Sequence, residues 1–123
     1  MYKSTKKGEW DMKIIDIEGN EVEVPITILT YNTFLKRLKG LMFRLKPIRD
    51  EGILLKPCNS IHMFFMFFSI DVVFINEASE VVFVKEQVKP WTLVLPVKGA
   101  VAAIELPTGT ISKYEIERGY RIQ

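Results

Sequence analysis

The chain holds one cysteine and one histidine in 123 residues. A single cysteine excludes an internal disulfide. Cysteine and histidine together fall short of the four ligands that a structural zinc site needs, so a metal would require carboxylates or a second subunit, and no metal or cofactor is expected. The chain also lacks an uncharged apolar run of about 20 residues, the length a spanning helix needs, so no transmembrane segment is expected. It has no glycine-rich phosphate loop and no Ser/His/Asp order. Gly40, Gly52, Gly99, Gly109 and Gly119 stand singly, as turn residues do. Charge of one sign is scarce too: 17 basic residues face 15 acidic ones, for a net charge of +2. That excess is too weak to argue for a nucleic-acid partner. The opening residues, MYKSTKKGEWDMK, contain neither an apolar stretch nor a small-residue cleavage site. No secretory signal is read there, and the expected compartment is the cytoplasm.

The composition, 48% hydrophobic and 26% charged, is that of a folded globular chain. At this length it buries roughly two-thirds of its unfolded surface, enough for one core without staples. Residues 1–10, with Lys3, Lys6 and Lys7, read as a flexible tail whose end Trp10 pins. Residues 11–123 read as a single globular domain.

One stretch dominates, CNSIHMFFMFFSIDVVFINE from Cys58 to Glu77. It contains the only cysteine and histidine, five of the eight phenylalanines and two of the five methionines. From Ile61 to Ile75 only His62, Ser69 and Asp71 are not apolar. The run is too short to span a bilayer, and Asp71 within it would be costly in lipid. It reads as a strand over residues 62–67, a kink at Ser69 and a strand over residues 71–76. The second strand pairs with Val81–Lys85 across a polar four-residue connection to form a hairpin.

Before this stretch, Met12–Asp16 and Val22–Leu29 read as another hairpin turning at Gly19-Asn20. Val22, Val24, Ile26 and Ile28 alternate with polar residues and Pro25, which predicts one buried face. Pro25 cannot donate to a ladder and marks an edge strand. Asn32 or Thr33 caps the one main helix, about residues 32–40. Lys36, Arg37, Lys39, Arg44, Lys46 and Arg49 then concentrate positive charge on a helix face and loop. Further short strands follow at Ile53–Lys56, near residues 91–95, over the second half of Gly99–Leu106 and at Tyr120–Ile122. Many short strands with one helix predict an α+β, mainly antiparallel β fold: a curled sheet or a partly closed small barrel.

The polar residues inside apolar sequence are the candidate site. Cys58 and His62 invite a nucleophile and base reading. In an extended segment they stand roughly 13 Å apart, beyond any hydrogen bond, whereas a helical turn brings them together. A buried cysteine with a satisfied histidine, a ligand-contacting pair and a catalytic dyad or metal site all stay open. Asp71 either caps backbone amides at the kink or faces a pocket beside His62, with Arg44 and Arg37 as candidate partners. Glu105 is the second isolated acid, free to pair with a base or to line the same pocket. The unbroken run Met63–Phe68 puts apolar side chains on both faces, so one face is covered or binds something.

The motifs taken in order resemble the family catalogued as domain of unknown function 192. Gly40-Leu41-Met42-Phe43-Arg44 looks like its glycine-leucine-methionine-x-arginine signature. Gly52-Ile53-Leu54 resembles its following strand. His62–Met66 with Ile70–Ile75 is similar to its central motif. Pro90-Trp91, Glu105–Gly109 and Gly119 match later positions. The resemblance covers about residues 25–122. It departs at Ser69, where the family usually has proline, and at Tyr120, where an aspartate usually follows the last glycine. The first departure should loosen the kink, and the second removes the ground for giving that position an acid's role. The resemblance implies a small, mainly β domain, with many exported or envelope-attached members, and no agreed activity, substrate or cofactor.

Three functions are therefore carried forward. The first is a small non-catalytic module that binds a small molecule or protein segment near Cys58, His62, Asp71 and Glu105, with Arg37 and Arg44 at the rim. The second is an enzyme using Cys58 or His62. The third is a membrane- or protein-surface adaptor using the basic face from Lys36 to Arg49.

Overall fold

The computed structural model describes residues 8–33, 36 and 40–123. The expected helix over residues 32–40 falls mostly outside the described residues, as do Arg37 and residues 1–7. The strands are β1 (Glu9–Ile15), β2 (Glu21–Tyr31), β3 (Glu51–Leu55), β4 (Ile61–His62), β5 (Ile70–Ile75), β6 (Val81–Val88), β7 (Leu93–Val94), β8 (Ala102–Pro107) and β9 (Arg121–Ile122). One short helix, α1 (Thr110–Lys113), follows β8. The fold is a β-rich α+β arrangement, as expected.

Seven strands form one mixed sheet in the order β6-β5-β8-β3-β2-β1-β9, while β4 and β7 pair separately. Among the described residues only β2 and β3 run parallel; the other ladders are antiparallel. A parallel pair needs a long crossover. The connection from Tyr31 to Glu51 is that crossover, and its Leu41 and Ile48 pack in the layer on the outer face of the sheet. The sheet is curled but not closed into a barrel. Its two edges touch at one corner, where the Val81 amide donates to the Tyr120 carbonyl at 2.7 Å and the Ile122 amide donates to the Ser79 carbonyl at 3.0 Å.

Local chemistry explains both expected hairpins. After β1, the Asp16 carboxylate accepts from the amides of Glu18 and Asn20, each at 2.9 Å, and Gly19 takes φ 88°. After β5, the Asn76 side-chain oxygen accepts from the amides of Ala78 and Glu80, each at 2.9 Å. Asx turns of this kind fold the chain back on itself. Trp10 anchors the start of β1 by donating its indole N–H to the Thr30 hydroxyl at 3.1 Å. The sheet thus begins at Glu9, inside the expected tail.

Two expectations need correction. β2 is not an edge strand, because β1 and β3 flank it. Pro25 is tolerated because the β1 ladder shifts register between Asp11 and Lys13 and the β3 ladder starts only at Thr27. The expected strand over residues 62–67 is also wrong. β4 stops at His62, and the chain turns, with the Met66 amide donating to the Met63 carbonyl at 3.2 Å and Phe65 at φ 61°. The turn buries Met63, Met66 and Phe68 and leaves Phe64, Phe65 and Phe67 exposed.

Strand alternation divides the core into two layers. Inside the curl, Met12, Ile14, Ile28, Val73, Ile104 and Leu106 pack with Ile111 of α1. On the outer face, Ile53, Leu55, Val72 and Phe74 are covered by Leu41, Ile61, Met63 and Met66. β5 is buried along its whole length because both layers use it. At Gly52 the sheet is tight: a Cβ there would lie 2.7 Å from the Glu105 carbonyl oxygen.

Candidate functional site

β8 lies between β5 and β3, so its outer face looks into the centre of the covered layer. Glu105 occupies that face, opposite Val72 of β5 and Ile53 of β3. It is 4% exposed. Its Oε1 has no hydrogen-bond partner among the described residues. Burial pushes its carboxyl up from the ordinary 4.5 to about 7.

The carboxyl faces a cavity of about 50 Å³, walled by Leu41, Met42, Leu55, Cys58, His62 and Met66 among others. That volume admits a few waters or one small functional group. It is far below the several hundred Å³ of a site for a whole drug-sized ligand. Its lining residues Gly40 and Met42 are shared with an open groove of about 570 Å³ bordered by Tyr31, Lys36, Phe43 and Arg44. The small cavity is thus a polar-floored recess beside a larger groove.

Cys58 and His62 do reach the same cavity. The segment between them is not one continuous strand, since β4 begins only at Ile61. Cys58 is half-buried, and its Sγ donates to the Ser60 carbonyl at 3.0 Å. His62 Nδ1 accepts the Phe64 amide at 3.3 Å, which assigns the ring proton of the neutral form to Nε2. Cysteine, histidine and carboxyl do not make a metal centre: no cluster of three His, Cys, Asp or Glu among the described residues is arranged to hold an ion.

Asp71 stands apart from them. It pairs with Leu106 across the β5–β8 ladder and so faces the inner layer. Its carboxylate accepts the Gln87 amide at 3.0 Å and the Ile111 amide at 2.9 Å, which ties α1 to the sheet. Asp71 thus accepts backbone amides, but distant ones on β6 and α1 and not those expected at the kink beside Ser69. Arg44 is not its partner either; Arg44 bonds Glu51 at the groove rim. Sequence reasoning missed Leu55, Ser60 and Met66 as cavity walls. Nothing short of the strand order could have brought them together.

The molecule is therefore a β-rich α+β domain with, among the described residues, one buried carboxyl in a small recess whose Oε1 has no partner. Residues 14–123 match the DUF192 family, described as Uncharacterized ACR, and the chain belongs to that family. Among relatives, a UPF0127 protein of Thermococcus kodakarensis, TK1120, is 40% identical over 93 residues, covering 72% of this chain and 58% of its own. The UPF0127 protein PF1050 of Pyrococcus furiosus is 37% identical over 111 residues, covering 86% of this chain and 91% of its own. The chain thus spans less than two-thirds of the Thermococcus kodakarensis relative. Two solved structures share the fold. One is from Sinorhizobium meliloti 1021, a protein put forward as a transcription regulator, with a TM-score of 0.81, 18% identity and coverage of 98% and 97% of the two chains. The other, a protein of unknown function from Novosphingobium aromaticivorans, has a TM-score of 0.78, 20% identity and coverage of 94% and 84%. Among the described residues, no helix is long and apolar enough to cross a membrane.

Proposed function

We propose that this protein is a non-catalytic binding module whose recess, formed by Glu105, Cys58 and His62, takes a small hydrogen-bond-donating group. The rest of the ligand, a small molecule or protein segment, lies in the groove bordered by Arg44. One observation carries this reading: a central carboxyl oxygen is buried without a partner and faces a cavity. An unmet buried acceptor costs about 1–3 kcal/mol, which a bound donor recovers. Asp71 supports the fold beneath the recess, and Arg37 remains the other candidate for the rim. The single cysteine fits a cytoplasmic, reducing setting.

A screen of small amines, amides and alcohols by thermal shift tests the siting. Hits should raise the melting temperature of the native chain and lose that effect in Glu105→Gln and His62→Ala. Hits unaffected by both substitutions would place the site elsewhere. The enzyme reading draws support from Cys58 and His62 sharing a cavity wall. It predicts alkylation of Cys58 that speeds up through a pH step below the ordinary thiol range. An unreactive thiol near neutral pH removes the nucleophile.

A further inference from the structure

Three exposed aromatic rings form a row on the outer layer. The Phe65 ring lies 5.1 Å from that of Phe43 and 5.0 Å from that of Trp91, centroid to centroid. They come from three segments joined by backbone bonds. The Phe43 amide donates to the Phe65 carbonyl at 2.9 Å, and the Trp91 amide to the Met63 carbonyl at 2.7 Å. All three residues adopt left-handed backbone, with φ of 66°, 61° and 65°. Glycine takes that conformation freely; a residue with a Cβ does so at a cost in free energy. Burial does not compensate here, because Phe43, Phe65 and Trp91 are 59%, 44% and 54% exposed. Strained residues whose side chains stay in water point to a role outside the fold. Leu45, Leu93 and Leu95, on the same segments, are more exposed still or equally so.

The segments that carry these rings are themselves basic. Residues 40–49, 58–69 and 88–98 contain no Asp or Glu, but five bases: Arg44, Lys46, Arg49, Lys89 and Lys98. Of the five, Arg44 bonds Glu51, and Lys46 and Arg49 line a groove with Glu9, Asp50 and Glu51; Lys89 and Lys98 do not line it. We propose that this face docks on an anionic lipid surface, the rings and leucines entering the headgroup boundary and the bases facing lipid phosphates. Exposed leucines favour lipid over single-stranded nucleic acid, which needs open ring faces for stacking. Phe65 is already flanked by rings on two sides. A second copy is disfavoured because a two-fold contact would set like charges against each other. The inference does not use the recess, although Phe43 and Arg44 also border the groove beside it.

Co-sedimentation of the full chain with phosphatidylcholine vesicles, with and without phosphatidylserine, tests it. The expected result is binding to the anionic vesicles that weakens as salt rises. Phe65→Gly with Trp91→Ser should lower partitioning about tenfold or more. Phe65→Gly alone should lower partitioning without lowering the melting temperature, since glycine relieves the left-handed strain. Leu95→Ser and Lys89→Glu, both at exposed positions, test the same face should the double variant fold poorly. Failure to sediment with anionic vesicles at low salt overturns the proposal. So does single-strand DNA binding, or concentration-dependent self-association, that the same substitutions abolish while vesicle binding persists.

Discussion

Asp71 and Glu105 stand on neighbouring central strands, one register step apart, and face opposite layers of the core. Both are almost fully buried, at 0% and 4% exposure. Asp71 accepts two backbone amides and joins β5 to the end of β6 and to α1. Glu105 has an oxygen with no partner among the described residues, and its carboxyl is pushed up to about 7. Burial alone therefore does not say what an acid does. The supply of donors does: α1 and the end of β6 present amides to the inner face, whereas Glu105 faces a cavity walled by apolar side chains with Cys58, Ser60 and His62, and its Oε1 bonds none of the described residues.

The contrast is sharpest in denaturation. Asp71→Ala strands two amides and should cost about 3–5 kcal/mol at pH 7, read by urea unfolding. A loss under about 1 kcal/mol would show that those bonds do not hold α1. Glu105 should behave in the opposite sense. Its folded pKa lies above its ordinary value, so the native state keeps its proton where the unfolded chain has lost it. Stability conferred below about pH 4.5 is then lost as pH rises to about 7, by up to about 3 kcal/mol, and stays flat above. Glu105→Gln should flatten that profile, gaining most of this amount at pH 8 and almost none near pH 4.5. A profile left unchanged by Glu105→Gln would assign the pH dependence to other groups.

Two smaller effects refine the comparison. The Thr110 hydroxyl donates to the Pro107 carbonyl at 2.7 Å and is a second tie of α1 to the sheet. Thr110→Val should cost about 1 kcal/mol, well below Asp71→Ala; an equal cost would mean that the helix, not the carboxylate, is the sensitive element. Arg44 and Glu51 are both about 40% exposed, so Arg44→Ala should cost under about 1 kcal/mol and leave the Glu105 pH profile in place. A shifted profile would couple the groove rim to the recess.

Both hairpins were legible in sequence for a local reason. Each joins β-branched strands through a turn that a nearby Asp or Asn side chain closes, and such chemistry acts within five residues. The run Met63–Phe68 was not legible. Six apolar residues in a row carry no period, and the turn there depends on the Met63 carbonyl accepting both Met66 and the distant Trp91 amide. Pro25 misled because its missing donor is absorbed by a register shift, not by an edge. The meeting of Glu105 with Cys58 and His62 follows from β8 inserting between β5 and β3, an order that no local pattern encodes. Asp71 and Glu105 look alike as isolated acids in apolar sequence, and only the alternation of facing separates them.

The corner where Ser79–Val81 meets Tyr120–Ile122 has a kinetic meaning. It joins strands from opposite ends of the sheet order, and β9 also pairs with β1, nearly the whole chain away. Loop-closure entropy must be met before these contacts form. Folding should thus be slow for a domain of this size, on the order of milliseconds to seconds, with the last strand among the last elements to dock. Until then the β1 and β6 edges stand open to pairing with other chains, so the window for misassembly closes only when β9 arrives.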